Sequence, residues 1–266
     1  MDDDKFEPLD NWLSTNGIGL ELQVAGAFKR KLSSDHCWTD IQHSYQYLDS
    51  KKEDGELVLR ETDVVITKSK RLYNNLLVTV RLVIECKHGA GIPIVLYKES
   101  SQLPKFNFDP LEDLWECKKT ESINTNNISG VSGNDLFAGQ IKKTCYSINT
   151  IYPEGKSNPK INVQNSIRQL ASGLEGVLDQ TVNDPMASNS VQILIPILMT
   201  KSPIFTLELA NDGQIIKNHS IRELLIWRTK ASGEGSQGFW VMHYDALDGL
   251  IEDFDKFFNE LDYRQS

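Results

Sequence analysis

The run Leu76-Leu-Val-Thr-Val-Arg-Leu-Val-Ile-Glu-Cys-Lys-His88 constrains this chain more than any other stretch. Alternation puts Val78, Val80, Leu82, Ile84 and Cys86 on one face and Thr79, Arg81, Val83, Glu85 and Lys87 on the other. The pattern predicts a buried β-strand with one greasy side and one side that turns polar toward its C-terminal end. Residues two apart on a strand point the same way, so Glu85 and Lys87 enter one space while Cys86 anchors the strand between them. An acid and an amine are thereby fixed side by side on a rigid element.

Two more acids stand in apolar settings. Asp63 falls inside Leu57-Val-Leu-Arg-Glu-Thr-Asp-Val-Val-Ile66, which also reads as a strand. Burying a lone carboxylate is costly unless it is paired or metal-bound, so an acid there needs a reason. Glu21 lies in Gly17–Leu32, where helical spacing puts it on a stripe with Ala25, Phe28 and Leu32. Lys29, Arg30 and Lys31 close that helix with the positive charge its dipole prefers.

An acid on a leading helix, then Asp63 on one strand, then Glu85-Cys-Lys87 closing the next, resembles the PD-(D/E)XK nuclease superfamily, which includes many restriction endonucleases. The resemblance covers roughly residues 15 to 210, and Thr62 stands where the name-giving proline would be. It implies an α/β fold with a restriction-endonuclease-like αβββαβ core, a mixed central sheet flanked by helices. To this the chain adds an insertion and a C-terminal extension of strands and a helix. It also implies hydrolysis of phosphodiester bonds, with DNA as the expected substrate and prokaryotic defence as the usual setting of such folds. Asp63 and Glu85 would hold Mg²⁺, for which Mn²⁺ would substitute, with the backbone carbonyl of Cys86 completing the protein ligands. Lys87 would orient or deprotonate the attacking water, and Glu21 would act through a metal-bound water or bind a second ion. Gln164 and Gln169, on the helix after the strand, are the candidates for an accessory polar contact.

Composition narrows the partners. A net charge of -9 argues against a protein that coats DNA through a generally basic surface, so contact with nucleic acid has to be local, metal-assisted or supplied by another chain. No arginine- or aromatic-rich DNA-reading module stands out. The cysteines at 37, 86, 117 and 145 show no CxxC pairing and read as reduced thiols. No stretch is apolar enough over sufficient length to span a bilayer, and Met1-Asp-Asp-Asp-Lys5 lacks the regions of a signal peptide, so a cytoplasmic location is expected.

The chain organises as one nuclease-like domain over 1–266, with an insertion at 100–160 and an extension at 211–266. Residues 1–14 read as an ordered arm or a loose tail, with Trp12 favouring some docking, and Cys37–Leu48 reads as the first strand of a hairpin. His88-Gly-Ala-Gly-Ile-Pro93 is a flexible corner, and His88 is left outside the chemistry. Asp109-Pro-Leu-Glu-Asp113 opens like a capped helix, so the second Glu-Cys-Lys triplet, Glu116 to Lys118, is expected on a helix with its acid and amine diverging. A helix follows over Asn162–Gln180, then a core strand over Val191–Met199 in which Pro196 predicts an edge, a bulge or an early end. Strands at Ile204–Leu209 and Gln214–Lys217 flank a turn at Asn211-Asp-Gly213. Two more, Glu223–Trp227 and Phe239–His243, precede a last helix capped by Asp245 with a Phe-rich inner stripe, which reads as core; a dimer interface is the sharper alternative. Against the enzyme stands a second reading, a catalytically idle nuclease-fold subunit that binds or assembles with a partner.

Overall fold

The computed structural model describes residues 17–32, 37–49, 58–72, 75–88, 93–98, 115–119, 128, 143–152, 163–182, 189–227 and 237–261. The arm with Trp12, the polar connection after Asp49, the segment at Asp109–Asp113 and Ser232–Ser236 lie outside the described residues. A helix α1 (Gly17–Lys31) leads into strands β1 (Trp38–Asp49), β2 (Val58–Arg71) and β3 (Leu77–Lys87). Strands β4 (Ile94–Lys98), β5 (Glu116–Lys119) and β6 (Cys145–Thr150) come next, followed by helix α2 (Val163–Val182) and strand β7 (Ser190–Thr200). Strands β8 (Ile204–Leu209), β9 (Ile215–Ser220), β10 (Arg222–Trp227) and β11 (Gln237–His243) precede helix α3 (Leu247–Glu260).

These strands join one mixed sheet in the order β1-β2-β3-β7-β11-β10-β6-β4-β8-β9, with β5 pairing β7 off that path. The fold is mixed α/β, with helices on both faces. Leu20, Val24 and Phe28 of α1 and Leu250, Phe254 and Phe258 of α3 pack on one face against Val78, Val80, Leu82 and Ile84. Ile167, Leu170, Leu174 and Val177 of α2 pack on the other, against Val65, Val83, Leu194 and Leu198. Both faces of β3 are therefore covered, and its run of apolar residues follows from that. Among the described residues no helix is long and apolar enough to cross a membrane.

Three sequence expectations change. Strand β7 is buried throughout and pairs on both sides, so Pro196 marks neither an edge nor an end. The β5 ladder stops at Leu194 and the β11 ladder starts at Ile197, which leaves Pro196 at the seam between two partners, where a missing N–H costs least. The triplet at Glu116 to Lys118 lies on a strand rather than a helix, since β5 pairs antiparallel with the first half of β7 and tertiary pairing overrides the local helix signal. Asp245 is not the cap of the last helix: His243 Nδ1 accepts from the backbone N–H of Asp245 on a short 3₁₀ turn, and α3 starts after it, at Leu247. Two pieces of the 100–160 segment, β5 and β6, are strands of the sheet itself.

Helix α2 comes close to the β1–β2 hairpin through two glycines. A Cβ on Gly176 would fall 1.9 Å from Cδ2 of Tyr47, and one on Gly173 would fall 3.2 Å from Cβ of Thr62. The helix can thus lie directly on the two strands that flank the site.

Candidate active site

The site forms where the sheet forks. Strand β2 pairs with β1 down to Val58, and β3 pairs with β7 up to Lys87, but the β2–β3 ladder stops at Val64 opposite Ile84. Beyond that rung Asp63 replaces the ladder: its Oδ2 accepts from the backbone N–H of Cys86 at 2.6 Å. A paired strand residue turns its N–H and C=O to the same edge, so the Cys86 carbonyl faces the same gap.

A local reversal of the strands opens the fork. Ile41 and Tyr45 on β1 would share a face under strict alternation, yet Ile41 packs with the α1/α3 core and Tyr45 with the α2 core. On β2, Val64 and Ile66 face α1 and α3, whereas Thr62 meets Gly173 of α2. The two reversals coincide, since Ser44 and Asp63 lie between the paired rungs His43–Val64 and Tyr45–Thr62. Ser44 has φ 54°, a left-handed value that costs a serine conformational energy. Groups from both faces of the sheet can meet at this point.

Four sequence-predicted residues meet there. Glu85 is 4 % exposed, and its Oε1 takes an ion pair from Lys87 Nζ at 2.7 Å. Glu21, at 8 %, reaches in from the α1 layer and interacts electrostatically with Asp63 and Glu85. Burial is the main reason that all three carboxyl groups titrate high. Glu85 is pushed up to about 7 by burial and then by Asp63, against the opposing pull of Lys87. Asp63 is raised by burial in spite of the Cys86 N–H and Lys87, and Glu21 by burial and by Asp63 in spite of His43. Burial would lower Lys87, but the charge and hydrogen bond of Glu85 outweigh it and hold the amine as an ammonium. As an ammonium Lys87 can orient water and offset charge. The Cys86 thiol is driven well up by burial and stays a thiol in the core.

Sequence reasoning missed His43, whose Nε2 lies 3.0 Å from Glu21 Oε2. The signal available was its place two residues after the inward-facing Ile41 on the first strand, which turns it toward α1. His43 also lines an open cleft of about 580 Å³ with Gln42, Ser44, Tyr45, Gln46 and Gln180. The two accessory candidates lie elsewhere. Gln164 donates to Asn149 Oδ1 on β6 at 3.1 Å, and Gln169 is exposed on α2.

The donor set suits a hard divalent cation. Glu21, Asp63 and Glu85 bring three carboxylates to the fork against one ammonium. Among the described residues no three His, Cys, Asp or Glu side chains close into a metal cage. Mg²⁺ keeps several waters and takes one or two carboxylates, so the carboxylates of Asp63 and Glu85, with the Cys86 carbonyl, fit it.

No family model, curated protein or solved structure matches the chain.

Proposed function

We propose that the chain is a Mg²⁺-dependent endonuclease that hydrolyses phosphodiester bonds of nucleic acid, DNA being the favoured substrate. The observation that carries this reading is the fork itself: the buried Glu21 and Glu85, the half-buried Asp63 and one ammonium meet where β2 and β3 part. The order α1-β1-β2-β3-α2-β7, with β3 and β7 parallel and antiparallel pairs before them, supports a restriction-endonuclease-like αβββαβ core. On this reading the protein works in the cytoplasm, in prokaryotic defence.

Asp63, Glu85 and the Cys86 carbonyl would hold Mg²⁺ or Mn²⁺, which when bound supplies charge neutralisation of the phosphate and the leaving oxygen. The chain's own groups supply the geometry. Lys87 donates to the attacking water or to a non-bridging phosphate oxygen and offsets the negative charge that builds there. The Cys86 N–H fixes the rotamer of Asp63, and Lys87 fixes that of Glu85, so both acids are set before substrate arrives.

A second reading, an idle subunit that binds or assembles with a partner, draws on the absence of a closed three-residue metal cage among the described residues and on the net charge of -9. Incubation of the purified chain with supercoiled plasmid and single-stranded oligonucleotides, with Mg²⁺, Mn²⁺ or chelator, separates the two. Cleavage that needs metal and is lost in Asp63→Ala supports the enzyme. An inert wild type, or full cleavage by Asp63→Ala, removes it and leaves the subunit.

A further inference from the structure

We infer that Lys201 and His243 form a phosphate-binding point apart from the fork, which holds the backbone of the nucleic-acid strand that the fork cuts; the inference rests on the nuclease reading above. Strands β3, β7 and β11 run parallel and end together, with Lys87, Thr200 and His243 on one rung. Val83, Leu198 and Val241, at even spacing before them on the three strands, all pack against α2. Alternation therefore turns Lys87, Thr200 and His243 to that same face. Open α/β sheets take their ligands outside the carboxyl ends of the strands, and this rung lies there. Lys87 marks the fork at one end of it and His243 stands at the other. Thr200 between them is fully buried, and its Oγ1 accepts from the backbone N–H of Ser202 at 2.9 Å, so it spaces the two points without binding.

What gathers at the far end suits an oxyanion. His243 Nδ1 accepts from the backbone N–H of Asp245 at 3.3 Å and lies 3.2 Å from its Oδ2, so Nε2 is the ring nitrogen left to donate to a ligand. The side chain is 19 % exposed, which lets a ligand reach it. Lys201 follows Thr200 directly, and its Nζ lies 5.3 Å from the centre of the Tyr244 ring, next along the chain from His243. Both donors are thus brought to the turn where β11 ends. Lys68, Lys87, Lys98 and Lys143 are each matched by a carboxylate. Among the described residues the half-buried Lys201 has none, and an aromatic face holds its ammonium without neutralising it. In a chain of net charge -9 such a cation is free to take an anion from outside. The spacing also fits. Two strand separations of about 4.8 Å put Lys87 and His243 about 10 Å apart. A duplex rises about 3.4 Å per nucleotide along each strand, so the phosphate held here lies about three nucleotides from the one cut.

The test measures binding apart from cleavage, by fluorescence anisotropy of the full chain with a labelled DNA duplex and Mg²⁺, in an Asp63→Asn background so that nothing is cut. Lys201→Met keeps the side-chain stem over Tyr244 and removes the charge. It is expected to weaken binding roughly tenfold, the scale of one hydrogen bond between charged groups. The slope of log affinity against log salt should fall by about 1, the mark of one lost phosphate contact. Lys201→Arg should restore both, His243→Gln should weaken binding as well, and Lys217→Met, which removes a charge from the exposed strand β9, should stay within about twofold of the parent. A second arm uses the chain with Asp63 intact and duplexes carrying one neutral methylphosphonate at successive positions. The substitution should suppress the cut about three nucleotides away, and Lys201→Met should be blind to it. Lys201→Met binding like Lys217→Met, or a methylphosphonate effect that is the same with and without Lys201, overturns this inference alone. A chain that binds without cutting, and loses that binding in Lys201→Met, fails the nuclease reading alone. One that neither binds nor cuts removes both.

Discussion

The two ends of the sheet treat buried charge in opposite ways. On β4, β8 and β10, among the described residues, the acids are matched by cations: Lys98 Nζ reaches both oxygens of the buried Glu223 at 3.1 and 2.9 Å, and Lys143 pairs with the half-buried Glu208. Cys145 adds its thiol to Glu223 at 3.7 Å. Helix α3 docks by the same rule, with Lys68 on Asp255 at 2.5 Å and Arg222 on Asp253 at 2.6 Å. At the fork, three acids share one lysine and one histidine. A balanced buried pair is a structural solution, and an unbalanced cluster is a standing cost that a fold has no need to keep. What separates the ends is therefore the charge left over, and a dication would cancel it.

Breaking one member at each end should give opposite results. Asp63→Asn should lower metal-dependent cleavage by about 10³-fold or more, since it removes a ligand, while leaving the metal-free protein as stable as wild type or more so. Lys98→Met should do the reverse. It strands Glu223 in the core, which costs on the order of 3 kcal/mol, and leaves kcat of the folded fraction unchanged. Chemical denaturation and initial cleavage rates on both variants check this. Equal loss of stability in the two would show that the fork is an ordinary ion-pair cluster.

Much of this contrast could be read in the sequence, but not all of it. Alternation over Leu76–His88 sets the strand, its two faces and the shared direction of Glu85 and Lys87, because strand geometry leaves no other arrangement. Helical spacing likewise turns Glu21 inward on α1. The fork could not be read, because it depends on Ser44 adopting a left-handed backbone that no local signal demands. His43 was open to alternation, two residues after Ile41, but its partner lies on α1, twenty-two residues earlier, and nothing local pairs the two. Pro196 misled because a proline is judged against one ladder, whereas β7 changes partners at that residue. The Glu-Cys-Lys copy at Glu116 misled because its helix-like opening competed with pairing to a strand more than seventy residues later.

The excess charge should show as a response to metal. Mg²⁺ or Mn²⁺ at about a hundred times its dissociation constant adds roughly 2.7 kcal/mol to a site present only in the folded state. For a chain of this size that is a rise in Tm of roughly 5 °C, measured by scanning calorimetry. Asp63→Asn should remove the rise and Lys98→Met should keep it. A rise of equal size in Asp63→Asn would move the cation to another part of the molecule.

The pH dependence of the metal-free protein sharpens the comparison. Glu85 is pushed up to about 7 in the fold, against 4.5 for an ordinary glutamate, so the folded state binds its proton more tightly. A pKa raised by folding contributes stability in full below about 4.5 and loses it as pH rises through 7. Wild type should therefore weaken by roughly 3 kcal/mol between pH 4.5 and 8, the opposing pull of Lys87 already included. Glu85→Gln should flatten that slope and be the more stable protein at pH 8, because it keeps the neutral form. Denaturant melts at pH 5 and pH 8 decide it, and a Glu85→Gln variant that is weaker at pH 8 would mean that Lys87 already balances the acid.

The smallest effect is expected on α2. Gln164 is held by Asn149 on β6, and Gln169 stands on an exposed turn of the helix, so neither amide is committed to the fork. Gln164→Ala and Gln169→Ala should each change kcat/KM by no more than about twofold, the scale of a peripheral contact, and shift stability within about 0.5 kcal/mol. Gly176→Ala on the same helix marks the other limit. Its new methyl would enter the ring of Tyr47, and overpacking of that kind costs about 1–3 kcal/mol. If either glutamine variant lost cleavage tenfold without losing stability, α2 would have to swing its N-terminal half toward the fork when substrate binds. The unbalanced end of the sheet would then extend further along the helix than the resting structure places it.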